Sequence, residues 1–358
     1  MTHKVLDETT ESKSAGQRTP LLGLTLDMLR DLVANEGLPR FAAAQIADWL
    51  YKKQVTDIDS MTNLSKETRR RLNEKYIVGR QMPLARFVSS DGTCKYLFHG
   101  AGGHAVEAVM IPDRDRATLC VSSQAGCRMN CSFCMTGRQG YHGNLTATAI
   151  INQVLSIPET ADLTNIVFMG MGEPMDNIDA VLQAIEILTV PWGLAWSPKR
   201  ITVSSIGKLD GLRRLIDETK VHIAISVHSP YSSERFSLMP VEKAYPLLSV
   251  IKFLKSYDFA HQRRLSVEYI MWKGINDDRL HASALARILK PIEGVRVNLI
   301  RFHAIPDSDL TPCSQSTMEA FRDRLNDLGI TATIRASRGE DIMAACGMLA
   351  GKKDQTNI

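Results

Sequence analysis

The sequence of 358 residues predicts an α/β fold in which six strand–helix units form a partial barrel of the (β/α)6 type. From about residue 118 onward, short strands rich in β-branched residues alternate with helical stretches. Each strand is apolar on both faces, which is typical of a parallel sheet covered by helices. Six units are fewer than the eight of a closed barrel, so we expect an open side that admits a macromolecular substrate. The strands are predicted at residues 118–123, 165–171, 200–205, 222–227, 266–272 and 295–302.

Two smaller units are expected before the barrel core, which spans residues 118–350. Residues 21–79 carry apolar residues at three- and four-residue spacing and form a helical unit, in which Ser65 is the N-cap of a third helix. Residues 80–117 alternate in the manner of strands, with a glycine-rich turn at 100–103, and form a β extension. The polar residues 1–20 and the last residues, 351–358, are predicted to be tails, the first of them disordered.

Composition narrows the class of protein. A hydrophobic fraction of 44% and a charged fraction of 23% are those of a globular protein, and no apolar run is long enough to span a membrane. The N-terminus lacks the apolar core of a secretory signal, so we expect a cytoplasmic protein. Seven cysteines, an odd number, argue against a disulfide framework and favour reduced thiols that act as ligands or catalysts.

The sharpest motif is a cysteine cluster directly after the first barrel strand. Cys127, Cys131 and Cys134 have the spacing C-x3-C-x2-C. Three thiolates on one loop hold three irons of a 4Fe–4S cluster and leave the fourth iron open to a cofactor. The alternative is a structural zinc site, which needs four ligands and would have to recruit Cys120 from seven residues upstream.

This motif resembles that of the radical S-adenosylmethionine (SAM) superfamily, including the aromatic Phe133 before the last cysteine. Gly170-Met-Gly-Glu-Pro174, at the end of the second strand, resembles the segment that receives the SAM amino group in that superfamily. The chemistry agrees, because the Glu173 carboxylate can pair with an ammonium at the carboxyl face of the sheet, where ligands of α/β folds bind.

Further segments are similar to the RlmN/Cfr family of radical SAM RNA methyltransferases, and the similarity covers residues 21–350. It includes Cys120, Cys346 in Ala344-Ala-Cys-Gly347, and the segments 226–231 and 238–240. Pro174 and Arg338-Gly-Glu-Asp341 favour the RlmN branch, which methylates adenine C2. Residues 229–231 and 298–301 are closer to the Cfr branch, which methylates C8.

The resemblance implies a methyl-carrier mechanism that uses two molecules of SAM per turnover. The first methylates Cys346, the second is cleaved at the cluster, and the resulting radical takes a hydrogen from the Cys346 methyl group. The carbon radical adds to adenine, and Cys120 then releases the product by forming a disulfide with Cys346. Glu107 matches the family's candidate proton acceptor, with an exposed strand carboxylate as the alternative interpretation. The implied SAM contacts are Gly172, Glu173, Ser204, Ser226, Val227, His228 and His303, the last replacing a common Asn.

The resemblance also implies the partners. They are an adenosine of 23S rRNA at the peptidyl transferase centre, the adenosine 3′ of the anticodon in some tRNAs, and an electron donor such as flavodoxin or ferredoxin. We expect a monomer in which Arg69, Arg70 and Arg71 grip RNA phosphates. Two other interpretations stay open from the residues: another radical SAM reaction, such as glycyl-radical activation or sulfur insertion, and a non-enzymatic zinc-dependent RNA-binding module.

Overall fold

The computed structural model describes residues 18–259 and 264–350. The N-terminal unit contains two short parallel strands and three helices: β1 (Thr19–Pro20), β2 (Tyr76–Ile77), α1 (Leu26–Asn35), α2 (Ala42–Ala47) and α3 (Lys66–Lys75). A π-helical turn at Asp48–Lys52 continues α2. The predicted cap is confirmed, because the Ser65 hydroxyl accepts from the Thr68 amide at 3.1 Å. Most of the predicted tails, residues 1–17 and 351–358, lies outside the described residues, and strand β1 occupies two positions assigned to the first tail.

Twelve further strands follow, of which ten form one sheet. They are β3 (Ala85–Val88), β4 (Cys94–His99), β5 (Ala105–Asp113), β6 (Arg116–Cys120), β7 (Gln124–Gly126), β8 (Tyr141–Asn144), β9 (Asn165–Phe168), β10 (Ile201–Ser205), β11 (His222–Ser226), β12 (Leu265–Met271), β13 (Arg296–Arg301) and β14 (Thr331–Ile334). The large sheet has the order β14-β13-β12-β11-β10-β9-β6-β5-β4-β3, and β7 pairs separately with β8.

Strands β6 and β9 to β14 are parallel and form the barrel part of the sheet. All six predicted barrel strands are confirmed, with bounds that differ from the predicted ones by up to three residues. The six predicted strand–helix units are confirmed, and β14, which no helix follows among the described residues, adds a seventh parallel strand that pairs with β13. β3, β4 and β5 extend the sheet in antiparallel fashion, as the alternation of residues 80–117 predicts. Among the described residues, β14 and β3 pair on one side only, so the barrel stays open.

In residues 18–259 and 264–350, eight further helices accompany these strands. They are α4 (Met135–Arg138), α5 (Ala147–Leu155), α6 (Ile178–Thr189), α7 (Leu209–Glu218), α8 (Ser232–Leu238), α9 (Leu247–Leu254), α10 (Arg279–Leu289) and α11 (Gln315–Asp327). Five single 3-10 turns occur at Ala101–Gly103, Pro158–Asp162, Pro174–Asn177, Pro198–Arg200 and Pro240–Lys243. The N-terminal unit packs on α5 and α6, where Thr148 donates to the Leu22 carbonyl and Gln183 to the Gly23 carbonyl, both at 2.6 Å. Within the described part of the chain, every helix is too short or too polar to cross a bilayer.

The inner face of the barrel mixes polar and apolar residues, and the expectation of strands that are apolar on both faces is wrong at its polar positions. Alternate residues of β6 and β13 line a cavity of about 720 Å³, for example Arg116 and Thr118 on β6 and Asn298 on β13. Their neighbours on the opposite face, such as Leu119 and Leu299, are 0% exposed and pack under the helices. A barrel whose interior is filled by side chains needs apolar residues on both faces of its strands. A barrel whose lumen is open to water and ligands tolerates polar residues on the inner face.

A buried arginine ties the carboxyl ends of two barrel strands to α8. Arg235 is 0% exposed and forms an ion pair with Glu242. Its Nε atom donates to the Val227 carbonyl at 3.2 Å, and its Nη2 atom donates to the Ile206 carbonyl at 3.0 Å. Removal of this side chain leaves a carboxylate buried without its partner, which is more costly than the loss of an exposed pair.

We expect Arg235→Met to lower the free energy of unfolding by about 3–5 kcal/mol, the usual cost of breaking a buried pair. Thermal unfolding followed by circular dichroism measures the change. Arg214→Gln is the matched control, since Arg214 pairs with Asp179 and Glu218 on the surface, and it should cost at most about 1 kcal/mol. Equal losses for the two variants would contradict a special role for Arg235.

Candidate active site

The loop that carries the three predicted ligands, residues 127–134, is called the cluster loop. It begins where β7 ends, at the carboxyl side of the barrel. The Cys127 amide donates to the Gly140 carbonyl at 2.8 Å. Gly126 has φ +74°, and a Cβ atom there would lie 1.9 Å from the Gly140 oxygen, so this tight approach requires glycine. Cys131 is buried, Cys127 and Cys134 are half-buried, and helix α4 starts directly after Cys134. The three predicted ligands therefore lie together on one loop.

The surroundings of these thiols fit an iron–sulfur cluster. Burial raises the pKa of Cys127 to about 12 and that of Cys131 well above its usual value. The Cys134 and Cys127 thiols raise the pKa of Cys131 further, which places the three groups within electrostatic reach of one another. Thiolates so placed need the positive charge of a metal centre to be stable.

The zinc interpretation finds no support in the arrangement. Among residues 18–259 and 264–350, no three His, Cys, Asp or Glu side chains converge on a point that would suit a single ion. The thiolates of a 4Fe–4S cluster bind different irons and need not converge in this way. Cys120, the required fourth zinc ligand, is electrostatically coupled to Cys346 instead.

Glu173 lies beside the cluster loop, at the start of the 3-10 turn that follows β9. It is 3% exposed, and its carboxylate accepts from the Met175 amide at 3.2 Å and the Ile206 amide at 3.1 Å. Burial raises its pKa to about 7, and its charge in turn contributes to the raised pKa values of Cys127 and Cys131. A buried carboxylate within electrostatic reach of Cys127 and Cys131 would suit the ammonium group of SAM.

Gly172 makes the turn that presents Glu173. Its φ is +98°, and a Cβ atom would lie 2.5 Å from Gln124 Cβ and 2.8 Å from the Gln124 amide nitrogen. The side chain of Gln124 accepts from the Glu173 amide at 2.8 Å, so the close approach is part of the same arrangement. Only glycine combines this backbone conformation with this contact.

The remaining predicted SAM contacts lie at the carboxyl ends of neighbouring strands. Ser204 and Ser226 are half-buried near the ends of β10 and β11, and Val227 is fully buried. His228 has φ +60°, and its Nδ1 atom accepts from the Ile270 amide at 3.0 Å. Burial lowers its pKa to about 3, so the ring is neutral and its Nδ1 atom is committed to the fold.

His303, the position that departs from the family pattern, lines the barrel cavity and is 5% exposed. Its Nδ1 atom lies 3.3 Å from the Glu340 carboxylate on the C-terminal loop. The histidine therefore contacts the loop that carries Cys346, in addition to any role toward a cofactor.

Cys120, Cys134 and Cys346 line the same cavity. Burial raises the pKa of the Cys120 thiol to about 12, the Cys346 thiol adds to this effect, and the Arg335 guanidinium opposes it. Cys346 is exposed to the cavity, whereas Cys120 is buried in its wall. The structure therefore brings together the two cysteines that the sequence places 226 positions apart.

The loop that carries Cys346 is docked by hydrogen bonds to the cluster loop and to the β extension. The Met135 amide donates to the Gly347 carbonyl at 2.8 Å, and the Thr136 hydroxyl donates to the Leu349 carbonyl at 2.7 Å. On the other side, the Ser89 hydroxyl donates to the Asp341 carboxylate at 2.6 Å. The predicted cluster ligands and Cys346 are thus held on adjoining segments.

Glu107 also contacts this loop, and the interpretation of it as an exposed carboxylate is wrong. It is 3% exposed, lies 3.3 Å from the Lys95 ammonium, and accepts from the Ala350 amide at 2.8 Å. It is not among the residues that line the cavity. Its geometry is that of a group that fixes the C-terminal loop.

The arginines of the N-terminal run each have an intramolecular partner. Arg69 donates to the Asp59 carbonyl, Arg70 pairs with Glu67 at 2.7 Å and also with Glu74, and Arg71 donates to the Glu36 carbonyl at 2.6 Å. None of the three lines the barrel cavity. Only the charge of Arg70 is compensated by carboxylates on α3, because Arg69 and Arg71 donate to backbone carbonyls.

The sequence analysis missed a polar network inside the cavity. Glu268 is 3% exposed and accepts from Asn298 at 2.8 Å and from Ser266 at 3.1 Å, and the Arg335 guanidinium lies 3.4 Å away. The signal was present as polar residues at alternate positions of β12 and β13.

Comparisons with known proteins agree with this geometry. Residues 19–78 match the family model of the ribosomal RNA large subunit methyltransferase N-terminal domain, and residues 121–285 match that of the radical SAM superfamily. A probable dual-specificity RNA methyltransferase RlmN of Phocaeicola vulgatus is 57% identical over 338 residues, which are 94% of this chain and 97% of that protein. The chain belongs to the RlmN family. The dual-specificity RNA methyltransferase RlmN of Geotalea uraniireducens is 38% identical, over 95% of this chain and 98% of its own length.

A solved relative supports the fold of the RlmN family across the whole chain. A radical SAM methyltransferase from Sphaerobacter thermophilus has a TM-score of 0.87 and 37% identity, and the match covers 93% of this chain and all of that one. The chain is accordingly an enzyme, a methyltransferase whose cofactors are a 4Fe–4S cluster and SAM.

We expect Gly172→Ala to weaken SAM binding at least tenfold, because the added Cβ meets Gln124 and the positive φ costs about 1–3 kcal/mol. Anaerobic isothermal titration of the cluster-loaded enzyme with SAM measures the loss. Gly103→Ala is the control, since Gly103 has φ +77° with nothing within 4 Å of a Cβ atom. Its SAM affinity should be that of the wild type, and a similar loss in both variants would argue against a local role for Gly172.

Proposed function

We propose that this protein methylates C2 of an adenosine in 23S rRNA, at the peptidyl transferase centre, and the adenosine 3′ of the anticodon in some tRNAs. The observation that carries the proposal is the meeting of Cys346, Cys120 and the cluster ligand Cys134 in the wall of one cavity. The relatives from Phocaeicola vulgatus and Geotalea uraniireducens, a probable dual-specificity RNA methyltransferase RlmN and a dual-specificity RNA methyltransferase RlmN, support RNA as the substrate.

In this proposal Cys127, Cys131 and Cys134 hold the cluster, and Glu173 receives the ammonium of SAM. Gly172, Ser204, Ser226, Val227, His228 and His303 complete the SAM site. When bound, the cluster and SAM supply one electron and the 5′-deoxyadenosyl radical. Two molecules of SAM are used per turnover, the first as the methyl donor to Cys346.

Cys346 acts as the methyl carrier. Its thiol is exposed to the cavity, and its loop is anchored on the cluster loop by Met135 and Thr136, so a methyl group on Sγ lies close to the cluster side. Adenine C2 is an electron-poor carbon that does not attack a SAM methyl group, and for this reason the carrier must become reactive. Loss of one hydrogen atom from the Cys346 methyl group gives a carbon radical that adds to C2. Loss of one electron, which the bound cluster would take up, and of the C2 proton then leaves the base joined to Cys346 through a methylene bridge.

Cys120 resolves this adduct. Its thiolate attacks Sγ of Cys346, a disulfide forms, and the sulfur–carbon bond breaks with its electron pair going to the carbon, which gains a proton as the methyl group. Burial keeps Cys120 protonated at rest, so it must lose its proton before the attack. Glu107 remains the predicted acceptor of the adenine proton, although its present contacts support a role in holding the loop.

We further propose that the protein works as a cytoplasmic monomer and receives electrons from a flavodoxin or a ferredoxin. The decisive experiment incubates the anaerobic, cluster-loaded enzyme with SAM, reductant and a 23S rRNA fragment, and then identifies modified nucleosides by mass spectrometry. 2-Methyladenosine is the expected product. 8-Methyladenosine would move the chain to Cfr-like chemistry, and the absence of both would contradict the proposal.

We expect Cys346→Ala to abolish methyl transfer to RNA, because the methyl carrier is gone, while 5′-deoxyadenosine still forms from SAM. Liquid chromatography of the reaction mixture measures both products. Cys313→Ala is the matched control, since Cys313 is buried but does not line the cavity, and it should retain methylation. Methylation by the Cys346 variant at the wild-type rate would rule out the carrier.

We expect Cys120→Ser to accumulate a covalent RNA–protein adduct, because a hydroxyl cannot form the disulfide that frees Cys346. Denaturing gel electrophoresis with labelled RNA detects the adduct as a retarded protein band. The double variant Cys120→Ser/Cys346→Ala should give no such band. An adduct in the double variant would place the bond on another residue.

A further inference from the structure

The barrel cavity extends through the lumen from the carboxyl ends of the strands to their amino ends. Cys120, Cys346 and His303 line it at the carboxyl side. Arg116 and Arg296, the first residues of β6 and β13, line it at the other side. Cys120 lies four positions after Arg116 along β6. With a strand rise of ~3.3 Å per residue and a strand tilt of ~36°, the two residues are about 11 Å apart along the barrel axis.

The wall of this cavity concentrates positive charge. It contains six arginines and only two carboxylates, Asp113 and Glu268; the arginines are Arg116, Arg264, Arg296, Arg301, Arg335 and Arg338. Asp113 pairs with Arg116 and lies 3.8 Å from Arg338, and Glu268 lies 3.4 Å from Arg335.

Arg264 and Arg296 lie at the opening of the lumen beside the amino ends of β12 and β13, which we call the amino-end mouth. Both are exposed, both lie where a parallel strand begins, and neither has an ion pair among the described residues. The carboxyl end of the lumen offers less room for a polymer, because the cluster loop and the C-terminal loop meet there through Met135, Thr136 and Gly347.

The basic character continues toward the N-terminal unit. A second cavity of about 420 Å³ is lined by Lys52 of that unit and by Leu163, Trp196 and Arg200, which lie just before β9 and β10. The Arg200 guanidinium lies 4.6 Å from the centroid of the Trp196 ring. A stacked pair of a cation and an aromatic ring is a common platform for a nucleobase.

We propose that the amino-end mouth of the barrel, marked by Arg264 and Arg296, is the surface that binds the phosphodiester backbone of the RNA. The target nucleotide enters the lumen from this side, and its base passes inward to Cys346. The depth of about 11 Å is comparable with the reach of one extruded nucleotide. This inference rests on the proposed function, and it assigns phosphate binding to the mouth in place of Arg69, Arg70 and Arg71.

The test compares three sets of variants of the cluster-loaded enzyme in binding to a fluorescently labelled 23S rRNA hairpin, by anisotropy at several salt concentrations. The sets are Arg264→Gln/Arg296→Gln, the charge-conserving Arg264→Lys/Arg296→Lys, and Arg69→Gln/Arg70→Gln/Arg71→Gln. Iron content and the thermal midpoint verify that each variant is folded and loaded.

We expect the glutamine pair at the mouth to weaken binding about tenfold and to lower the slope of log Kd against log salt by about 1.4–2, one phosphate contact for each arginine. The lysine pair should keep most of the wild-type slope. Wild-type affinity and slope in the glutamine pair, or a loss confined to the triple variant on α3, would overturn the inference.

The two proposals fail in different ways. If the wild type yields 2-methyladenosine while the mouth variants bind RNA normally, the inference is wrong and the function stands. If the wild type binds RNA through Arg264 and Arg296 but yields no methylated adenosine, the binding surface is supported and the function is wrong.

Discussion

The parallel pairing of seven strands is the constraint on which the rest of the structure depends. Because parallel strands share a direction, their carboxyl ends meet at one edge of the sheet. Several segments of the candidate site lie at this edge. They are the Gly172–Glu173 turn after β9, the last residues of β10 and β11, and His303 after β13. The cluster loop follows β7, which comes next along the chain after β6. Arg235 reinforces this edge, since its guanidinium bonds to carbonyls beyond both β10 and β11.

The barrel strands and the helix cap could be predicted from the sequence because they depend on local residue patterns. Ion pairs between strands and the polar lining of the barrel lumen could not be predicted in this way. All six barrel strands and the Ser65 cap followed from periodicity and capping chemistry. β14 was missed because its four residues are only partly buried and carry little apolar signal. The burial of Glu107 could not be predicted, because its partner Lys95 lies on a neighbouring strand and a single sequence does not show which strands pair. The arginine run stays a prediction, and its sequence does not show that Glu67 and Glu74 pair with Arg70 from one helical turn away.

The site combines two electrostatic regimes within one barrel. At the carboxyl end, buried thiols and the Glu173 carboxylate have raised pKa values because they lack water, and cationic cofactor groups would relieve them. Along the lumen, arginines outnumber carboxylates, and Glu268 is compensated by Arg335 and Asn298. A cationic cofactor group is thereby favoured beside Glu173 at the carboxyl end of the barrel, and an anionic substrate along the lumen.

The docking of the Cys346 loop has a consequence for the internal dynamics of the enzyme. Its polar anchors are hydrogen bonds to segments more than 200 positions earlier, among them Ser89, Glu107 and Thr136, and Ala344, Ala345, Met348 and Leu349 are buried as well. Because the loop lies outside the strand ladder, it can open as a small cooperative unit while the barrel strands stay protected. Amide hydrogens of residues 339–350 should therefore exchange with solvent faster than those of β10 to β13, which gives Cys346 freedom to alternate between methyl donor and base without any rearrangement of the barrel.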